Sequence, residues 1–302
     1  MGDLTLPASR LLQHLSGQFS NGGYPDPASW GYAFTLLAAL EQNSSLVSNR
    51  LANAALDELV KQDKTTNNFS WEFVVYAWNR SCNICGELDR SLVPYGEKGT
   101  RMVNWTLLRQ LNRFHAKKKT FRARCIVWGV RKLFTLPDGQ ILDEFKTRSL
   151  QYHAFCLFVV LELYQVSNEQ ALKEWLVRGL IFSLDNALTD GVALYIGRGQ
   201  EQIFGYGALL MVGEYALKKW PECLHVEHVT ALSRITGYLL SFQRDNGSFP
   251  LVLNSDQPEC EQVTFKHHNP HGWYGYNTLY DYQPFLAYCL LRAQKFKNGL
   301  FL

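Results

Sequence analysis

The chain has 302 residues, of which 47% are hydrophobic and 19% charged, and its formal net charge at pH 7 is +3. This balance is typical of an ordered globular protein and excludes a disordered chain. The small net charge argues against a nucleic-acid partner, which would need a marked excess of Lys and Arg. No apolar stretch approaches the roughly 18 residues of a membrane span, so none is predicted.

The N-terminal residues show no basic stretch followed by a continuous apolar run, so we expect no secretory signal. The seven cysteines are an odd number and five of them are scattered, which predicts reduced thiols and a cytoplasmic location. Cys82 and Cys85 form a lone CxxC pair without a second ligand pair at the spacing of a zinc site. We therefore expect ordinary thiols here.

Apolar residues recur at helical spacing through most of the chain, and strand-like alternation is scarce. The predicted helices, in chain order, are 7–17, 30–42, 48–62, 69–80, 102–115, 120–134, 148–166, 168–187, 203–218, 225–243 and 277–296. Gly-rich turns recur between helix pairs, which is the rhythm of stacked helical hairpins. The pattern predicts an all-α fold: an (α/α) toroid or incomplete barrel of helical hairpins around a central cleft. We expect one domain over residues 1–302. Ser167 and Gln170 further predict a capping box at the start of the eighth helix.

The first of three polar and aromatic segments is 143–155, where a predicted helix becomes strongly apolar only after His153. Arg148 and Tyr152 are four residues apart and would share one face of that helix. An arginine beside the phenol would lower its pKa by favouring the phenolate. Tyr152 and His153 are therefore candidate proton donors or acceptors. The alternative is a structural network in which Arg148 pairs with a nearby carboxylate such as Asp143.

In the second segment, 195–208, two glycines flank Arg198, so the backbone could approach a ligand closely. The Walker lysine and the third glycine of a dinucleotide fingerprint are missing, so no nucleotide site and no cofactor are predicted. An arginine binds a carboxylate bidentately, the amides of Gln200 and Gln202 suit hydroxyls, and the Tyr206 ring suits a sugar face. This set is typical of a site for a sugar acid. Alternatively, the glycines simply permit close helix packing.

The third segment, 266–282, holds His267, His268 and His271, followed by a tryptophan and four tyrosines. Pro270 argues against a regular helix holding two of these histidines, and no HExxH pattern is present, so no metal is predicted. Aromatic rings beside a histidine acid or base would suit a sugar substrate. The alternative is a plain aromatic wall of the ring.

The run TRSLQYHAF at 147–155 resembles the Ser-x-x-Tyr-His-x-Phe element in the helical toroids of polysaccharide lyases of the heparinase II/III and alginate lyase kind. The run QRDNGSF at 243–249 is similar to turns found widely in α/α toroids. The resemblance implies cleavage of uronic-acid glycosides by β-elimination, with Tyr152 and His153 as the acid–base pair.

The sequence therefore predicts a carbohydrate-active enzyme whose substrate is a uronic-acid polysaccharide or oligosaccharide, cleaved by β-elimination. Arg148 or Arg198 would neutralise the charge of the substrate carboxylate, and this neutralisation would acidify the proton at C5. A glycoside hydrolase, a C5-epimerase and a non-catalytic glycan-binding or polysaccharide-assembly protein stay open as alternatives. A hydrolase needs two carboxylates across the scissile bond, and no paired motif is visible. The residues expected to bind substrate are Gln151, Gln200, Gln202, Tyr206, His271, Trp273, Tyr274, Tyr276 and Trp30.

Overall fold

The computed structural model describes residues 2–19, 22–26, 28–43, 46, 49–63, 70–255 and 278–301. Within these ranges there are eleven α-helices, two 3-10 turns and three isolated β-bridges, but no strand. The eleven helices confirm the predicted number and order, with boundaries within four residues. They are α1 (Thr5–Gln18), α2 (Gly31–Gln42), α3 (Arg50–Leu59), α4 (Trp71–Ile84), α5 (Val103–His115), α6 (Thr120–Leu133), α7 (Leu150–Ser167), α8 (Gln170–Asp185), α9 (Ile203–Lys219), α10 (Val226–Ser241) and α11 (Leu279–Lys297).

Six helices form an inner ring in which each packs on the next: α2, α4, α5, α7, α9 and α11, with α11 packing back on α2. Five helices lie outside this ring, α1 on α11, α3 on α2, α6 on α5, α8 on α7 and α10 on α9. The outer position between α4 and α5 is taken by segment 85–102, whose only regular element is the turn Arg90–Leu92. The predicted ring of helical hairpins is confirmed, with one hairpin lacking its outer helix.

The layer of each helix follows from its apolar pattern. Every residue over 150–163 in α7 and over 203–216 in α9 is buried, so these helices have no solvent face. In contrast, α3 buries only Ala52, Ala55 and Leu59, a single stripe at helical spacing. A helix that is apolar all round must be enclosed, which places it in the inner ring. None of the described helices is long and apolar enough to cross a membrane.

All six inner helices begin at the same end of the ring, because each outer segment carries the chain back. Contacts between their starts show this directly. Asp281 of α11 accepts the backbone N–H of Trp30 at the start of α2, and the Val103 N–H of α5 bonds the Asp143 carbonyl just before α7. We call this end the N-terminal rim and define it by the N-cap residues Trp30, Ser70, Met102, Ser149, Gln202 and Thr278. The opposite end is the C-terminal rim.

Aromatic rings from all six inner helices fill the centre of the toroid. Trp30 stacks on Phe73 with ring centres 4.8 Å apart, Phe73 contacts Phe155 at 5.3 Å, and Phe155 contacts Phe204 at 4.9 Å. The circle is completed by Trp105 against Phe73 and by Phe285 against Phe204. The centre is therefore filled, and a ligand would bind at one of the two rims.

The capping box predicted at Ser167 and Gln170 is wrong. The Ser167 hydroxyl donates to the Leu163 carbonyl inside the last turn of α7, and the N-cap of α8 is Glu169. The reason is local: Asn168 adopts a left-handed conformation, with φ 53°, which ends α7 one residue later than a cap at Ser167 would require.

Gly31 offers a test of how closely α2 and α11 must approach. A Cβ at this position would lie 1.7 Å from the Tyr280 carbonyl oxygen. We expect Gly31→Ala to lower the free energy of unfolding by about 1–3 kcal/mol or more, because the clash is with backbone and cannot relax. The matched control is Gly237→Ala on α10, where nothing lies within 4 Å of the new Cβ. This change should raise stability by about 0.5–1 kcal/mol. Urea denaturation of both variants checks the pair, and equal effects would contradict the packing argument.

Candidate active site at the N-terminal rim

The start of α7 is fixed by the loop that precedes α9. Ser149 is the N-cap of α7: its hydroxyl oxygen accepts the Tyr152 backbone N–H at 3.2 Å and donates to the Arg198 carbonyl at 2.8 Å. The backbone N–H of Leu150 also bonds the Ile196 carbonyl at 3.0 Å. The second predicted segment is therefore bound directly to the first.

The glycines beside Arg198 serve this contact. Gly197 has φ +85°, and a Cβ there would lie 2.2 Å from the Arg148 carbonyl oxygen. Gly199 has φ +75° and packs against the Gln151 side chain. Both glycines bring the loop against α7, which matches the packing alternative rather than close approach to a ligand.

Arg198 lies at the centre of a charged cluster on the rim. Its guanidinium bonds Asp143 Oδ2 at 2.9 Å and lies over the Tyr152 ring, 4.6 Å from the ring centre. The Arg198 side chain is 31% exposed, whereas that of Asp143 is 1% exposed. Burial raises the pKa of Asp143, and the guanidinium opposes this rise. Within the described residues, Asp143 Oδ1 is buried without a hydrogen-bond partner. An arginine oriented in this way by a carboxylate and a ring is suited to hold an anionic ligand.

The predicted pairing of Arg148 with Tyr152 is wrong. α7 begins at Leu150, so Arg148 precedes the helix and cannot share a helical face with Tyr152. Arg148 is exposed and lines a separate surface cavity of about 370 Å³ beside Phe182 and Asp185. The cation beside Tyr152 is Arg198 instead, and it lies over the ring face rather than at the phenol oxygen.

His153 lies on the outer side of α7, between this helix and α8. Its Nδ1 accepts the Ile141 backbone N–H at 2.9 Å, and its Nε2 lies 3.0 Å from the Gly179 carbonyl. Both ring nitrogens are thus occupied by backbone, and burial lowers the pKa of His153 to about 4. A neutral imidazole held in this way argues against the expected acid–base role and fits the structural alternative.

Two of the predicted sugar-binding amides lie inside the α7–α9 contact, and the predicted tyrosine packs against Tyr238 of α10. Gln151 Nε2 donates to Gln202 Oε1 at 3.0 Å, and both residues are buried. The hydroxyl of the fully buried Tyr206 donates to Glu201 at 2.8 Å, where Tyr238 also donates. These contacts favour a packing role for the three residues. Gln200 is only half-buried, so its predicted substrate contact stays a prediction.

Trp30 and Asp281 join the starts of α2 and α11. Asp281 Oδ1 accepts the backbone N–H groups of Trp30 at 2.8 Å and Gly31 at 2.6 Å, and so caps a helix that has no side-chain cap of its own. Burial raises the pKa of Asp281 to about 7. The Trp30 ring is 6% exposed and lies 5.5 Å from the Tyr282 ring, at the top of the aromatic centre.

The sequence did not predict the second cation on the rim, Lys98. The Lys98 ammonium lies 4.5 Å from the centre of the Trp105 ring, and burial lowers the pKa of Lys98. Its backbone N–H donates to Glu72, which also accepts Arg109 Nε at 2.7 Å. The one sequence signal for a cation here was Glu72, a single carboxylate between two aromatic residues in the first turn of α4.

The third predicted segment lies outside the described residues. This applies to the three histidines considered as metal ligands, His267, His268 and His271. It also applies to four expected substrate contacts, which are His271, Trp273, Tyr274 and Tyr276. In the part of the chain that the structure describes, no group of His, Cys, Asp and Glu is placed to hold a metal ion.

No family model and no curated protein sequence matches the chain. Solved structures do. A polysaccharide lyase superposes with a TM-score of 0.63 at 10% identity, covering 96% of this chain and 98% of its own. A glycosyl hydrolase of family 88 from Bacteroides vulgatus gives 0.65 at 8% identity, with 100% of both chains covered.

An unsaturated glucuronyl hydrolase from Streptococcus agalactiae gives a TM-score of 0.65 at 13% identity, covering 96% of this chain and 90% of that one. This chain is an α/α toroid. At such low identities the likeness establishes the toroid fold and not the reaction.

Asp281 gives the rim a testable pH dependence. Its folded pKa of about 7 lies above the ordinary value of 3.8, so the native state keeps a proton that the unfolded chain has released. The contribution to stability is therefore full below pH 4 and is lost as the pH rises to 7, at up to about 1.4 kcal/mol per pH unit. Asp281→Asn keeps a side-chain oxygen that can accept the two backbone N–H groups. We expect this variant to abolish the loss of stability between pH 4 and 7.

Urea denaturation between pH 4.5 and 7.5 measures the effect as the difference between wild type and variant. The difference is needed because His153 and His115, with pKa values lowered to about 4, contribute with the opposite sign. Asp245→Asn, an exposed carboxylate, is the matched control. Parallel pH profiles for wild type and Asp281→Asn would contradict the assignment.

Proposed function

We propose that this toroid is an enzyme that cleaves uronic-acid-containing polysaccharides or oligosaccharides by β-elimination at the N-terminal rim. The observation that carries the proposal is the partly exposed Arg198, held between Asp143 and the face of the Tyr152 ring. A positioned guanidinium next to a phenol supplies both requirements of the reaction: a partner for the substrate carboxylate and a group that transfers protons.

The helix arrangement supports an anionic substrate. Six inner helices direct their N-terminal ends to this rim, and each end carries the partial positive charge of its helix dipole. Arg198 and Lys98 add two cations beside the Tyr152 and Trp105 rings. Aromatic rings next to cations suit the apolar face and the carboxylate of a uronic acid.

In the proposed reaction, Arg198 binds the substrate carboxylate and stabilises the charge that develops when C5 loses its proton. Tyr152, as phenolate, removes that proton. The electron pair forms the C4=C5 double bond, the C4–O4 bond breaks, and the leaving oxygen takes a proton. The sequence predicts a histidine acid or base in segment 266–282, and we propose it for this second proton transfer. Asp143 keeps Arg198 oriented, and His153 has no part in the chemistry.

A glycoside hydrolase is the second candidate, because two rim carboxyls, Asp143 and Asp281, have raised pKa values. A raised pKa is what a general acid requires. Both side chains are almost fully buried, however, and both are engaged: Asp143 with Arg198, and Asp281 with the start of α2. Elimination is preferred because the Arg198 side chain is 31% exposed and Tyr152 is 9% exposed, more than either carboxyl.

The proposal predicts a rise in ultraviolet absorbance when the protein is incubated with a panel of uronate polysaccharides, from the new double bond conjugated to the carboxylate. Tyr152→Phe should lower kcat by about 10²–10⁴-fold, since the proton-transfer group is lost. Arg198→Gln should lower it by about 10²–10³-fold. Matched controls are Tyr164→Phe, at the far end of α7, and the exposed Arg234→Gln, and both should keep the wild-type rate.

The outcomes separate the candidates. New reducing ends without absorbance would favour the hydrolase, and loss of activity in Asp143→Asn would then be informative. Absorbance that persists in both Tyr152→Phe and Arg198→Gln would overturn the assigned roles. Neither absorbance nor reducing ends on any polymer would leave an epimerase or a glycan-binding protein as the better reading.

His153 allows the structural and catalytic roles to be told apart. We expect His153→Gln to lower stability by about 1–3 kcal/mol, because buried backbone groups lose their partners. The kcat of the folded variant should stay within a few-fold of wild type, with an unchanged pH–rate profile. A large fall in kcat at full folding, or a displaced pH–rate profile, would restore His153 to the acid–base pair.

A further inference from the structure

A second cluster of ionisable side chains lies at the C-terminal rim, where the inner helices end. Four inner helices contribute to it: Glu41 from α2, Arg80 from α4, Glu162 from α7, and both Arg292 and Lys295 from α11. Glu41, Glu162 and Arg292 are almost fully buried, at 4%, 0% and 1% exposure. The cluster shares no residue with the proposed active site, and the aromatic centre separates the two.

The ion pairs within this cluster are long. Lys295 is hydrogen-bonded to the Glu41 carboxylate, at 2.5 Å, but Arg292 Nε lies 3.7 Å and Arg80 Nη2 4.0 Å from the same group. Arg80 Nε lies 3.6 Å from Glu162. Such distances exceed those of good hydrogen bonds. Within the described residues, Arg80 Nε and both Glu162 carboxylate oxygens are buried without a hydrogen-bond partner.

The charge of the cluster is also unbalanced. Within the described residues, three cations face two carboxylates, which leaves one positive charge in excess. The neighbouring His115 adds no charge at pH 7, because burial lowers its pKa to about 4, and the Tyr76 and Tyr288 hydroxyls bond each other at 3.1 Å. An unbalanced buried charge is costly, so a compensating anion would be stabilising.

A cavity of about 520 Å³ opens on the cationic side of the cluster. It is lined by Leu40, Glu41, Gln42, Arg80, Asn83, Ile84, Arg292 and Lys295. This volume lies in the range of sites for small organic molecules and far exceeds the space of a single water. Arg80, Arg292 and Lys295 surround Glu41 at the cavity wall. Their charged groups can therefore contact a ligand in the cavity.

We propose that the C-terminal rim is a second binding site, for a small organic anion with a carboxylate or phosphate group. Arg80, Arg292 and Lys295 are the contacts, and Glu41 keeps the three cations together. The helix C-termini account for cations at this end, since cations interact well with the last carbonyls. They do not account for the excess charge and the cavity, which an anion between Arg80 and Arg292 would explain together.

The test is isothermal titration calorimetry of the whole chain with inorganic phosphate and with D-glucuronate, each up to about 10 mM at constant ionic strength in chloride. D-glucose serves as the neutral counterpart of glucuronate. We expect saturable binding of at least one anion and none of glucose. Lys295→Gln removes a partly exposed cation, and Arg80→Lys keeps the charge but removes the planar fork of donors. Each should weaken binding at least tenfold.

Lys132→Gln, a lysine in the last turn of the outer helix α6, is the matched control and should bind as wild type. Thermal unfolding of every variant shows whether it is folded. The titrations are repeated in Arg198→Gln, which separates this site from the proposed active site. Binding retained in Arg198→Gln and lost in Lys295→Gln and Arg80→Lys supports the proposal, and the anion that binds identifies the recognised group.

No saturable binding of either anion to wild type would overturn the proposal. So would binding that Lys295→Gln and folded Arg80→Lys leave unchanged, binding that is lost in Arg198→Gln, or equal binding of glucose. Loss in Arg198→Gln would instead place anion binding at the N-terminal rim. The other results leave the uronate lyase proposal unchanged, since that proposal rests on the opposite rim.

Discussion

The parallel packing of six inner helices around a shared aromatic centre is the constraint on which the rest of the molecule depends. Each helix contributes at least one ring to the centre, so the helices are held together there and their starts meet at one rim. Because helix dipoles add in this arrangement, the two ends of the toroid differ in electrostatic character. The positive end carries Arg198 and Tyr152, and the negative end holds a cluster of cations.

Polar side chains join the starts of neighbouring inner helices. Asp281 of α11 completes the start of α2, and Ser149 connects α7 to the loop before α9. Glycines at these junctions let backbone approach backbone, as at Gly31 and Gly197. The residues around the candidate site are therefore held by the same contacts that close the ring, which orients Arg198 before any ligand arrives.

Tyr152 and His153 show why adjacent residues in one motif have different tasks. Successive residues of an α-helix are about 100° apart, so two neighbours cannot both face the centre of the ring. Tyr152 lies under Arg198 at the rim, whereas His153 turns outward to the backbone at Ile141 and Gly179. The resemblance to lyase toroids implied catalytic roles for both residues, but the helix geometry favours only Tyr152 for chemistry.

The sequence by itself determined the helices, their order and the toroid fold. Apolar periodicity is a local signal, and helices such as α7 and α9 without any polar face had to be enclosed. It also indicated two segments that lie at the rim, 143–155 and 195–208, because polar and aromatic residues cluster there at helix starts. The sequence could not predict which side chains would pair with each other. Arg198 lies 55 residues from Asp143, and Lys295 lies 254 residues from Glu41. Only the closed ring brings such residues together, since their contacts depend on how whole helices pack and not on spacing along one of them.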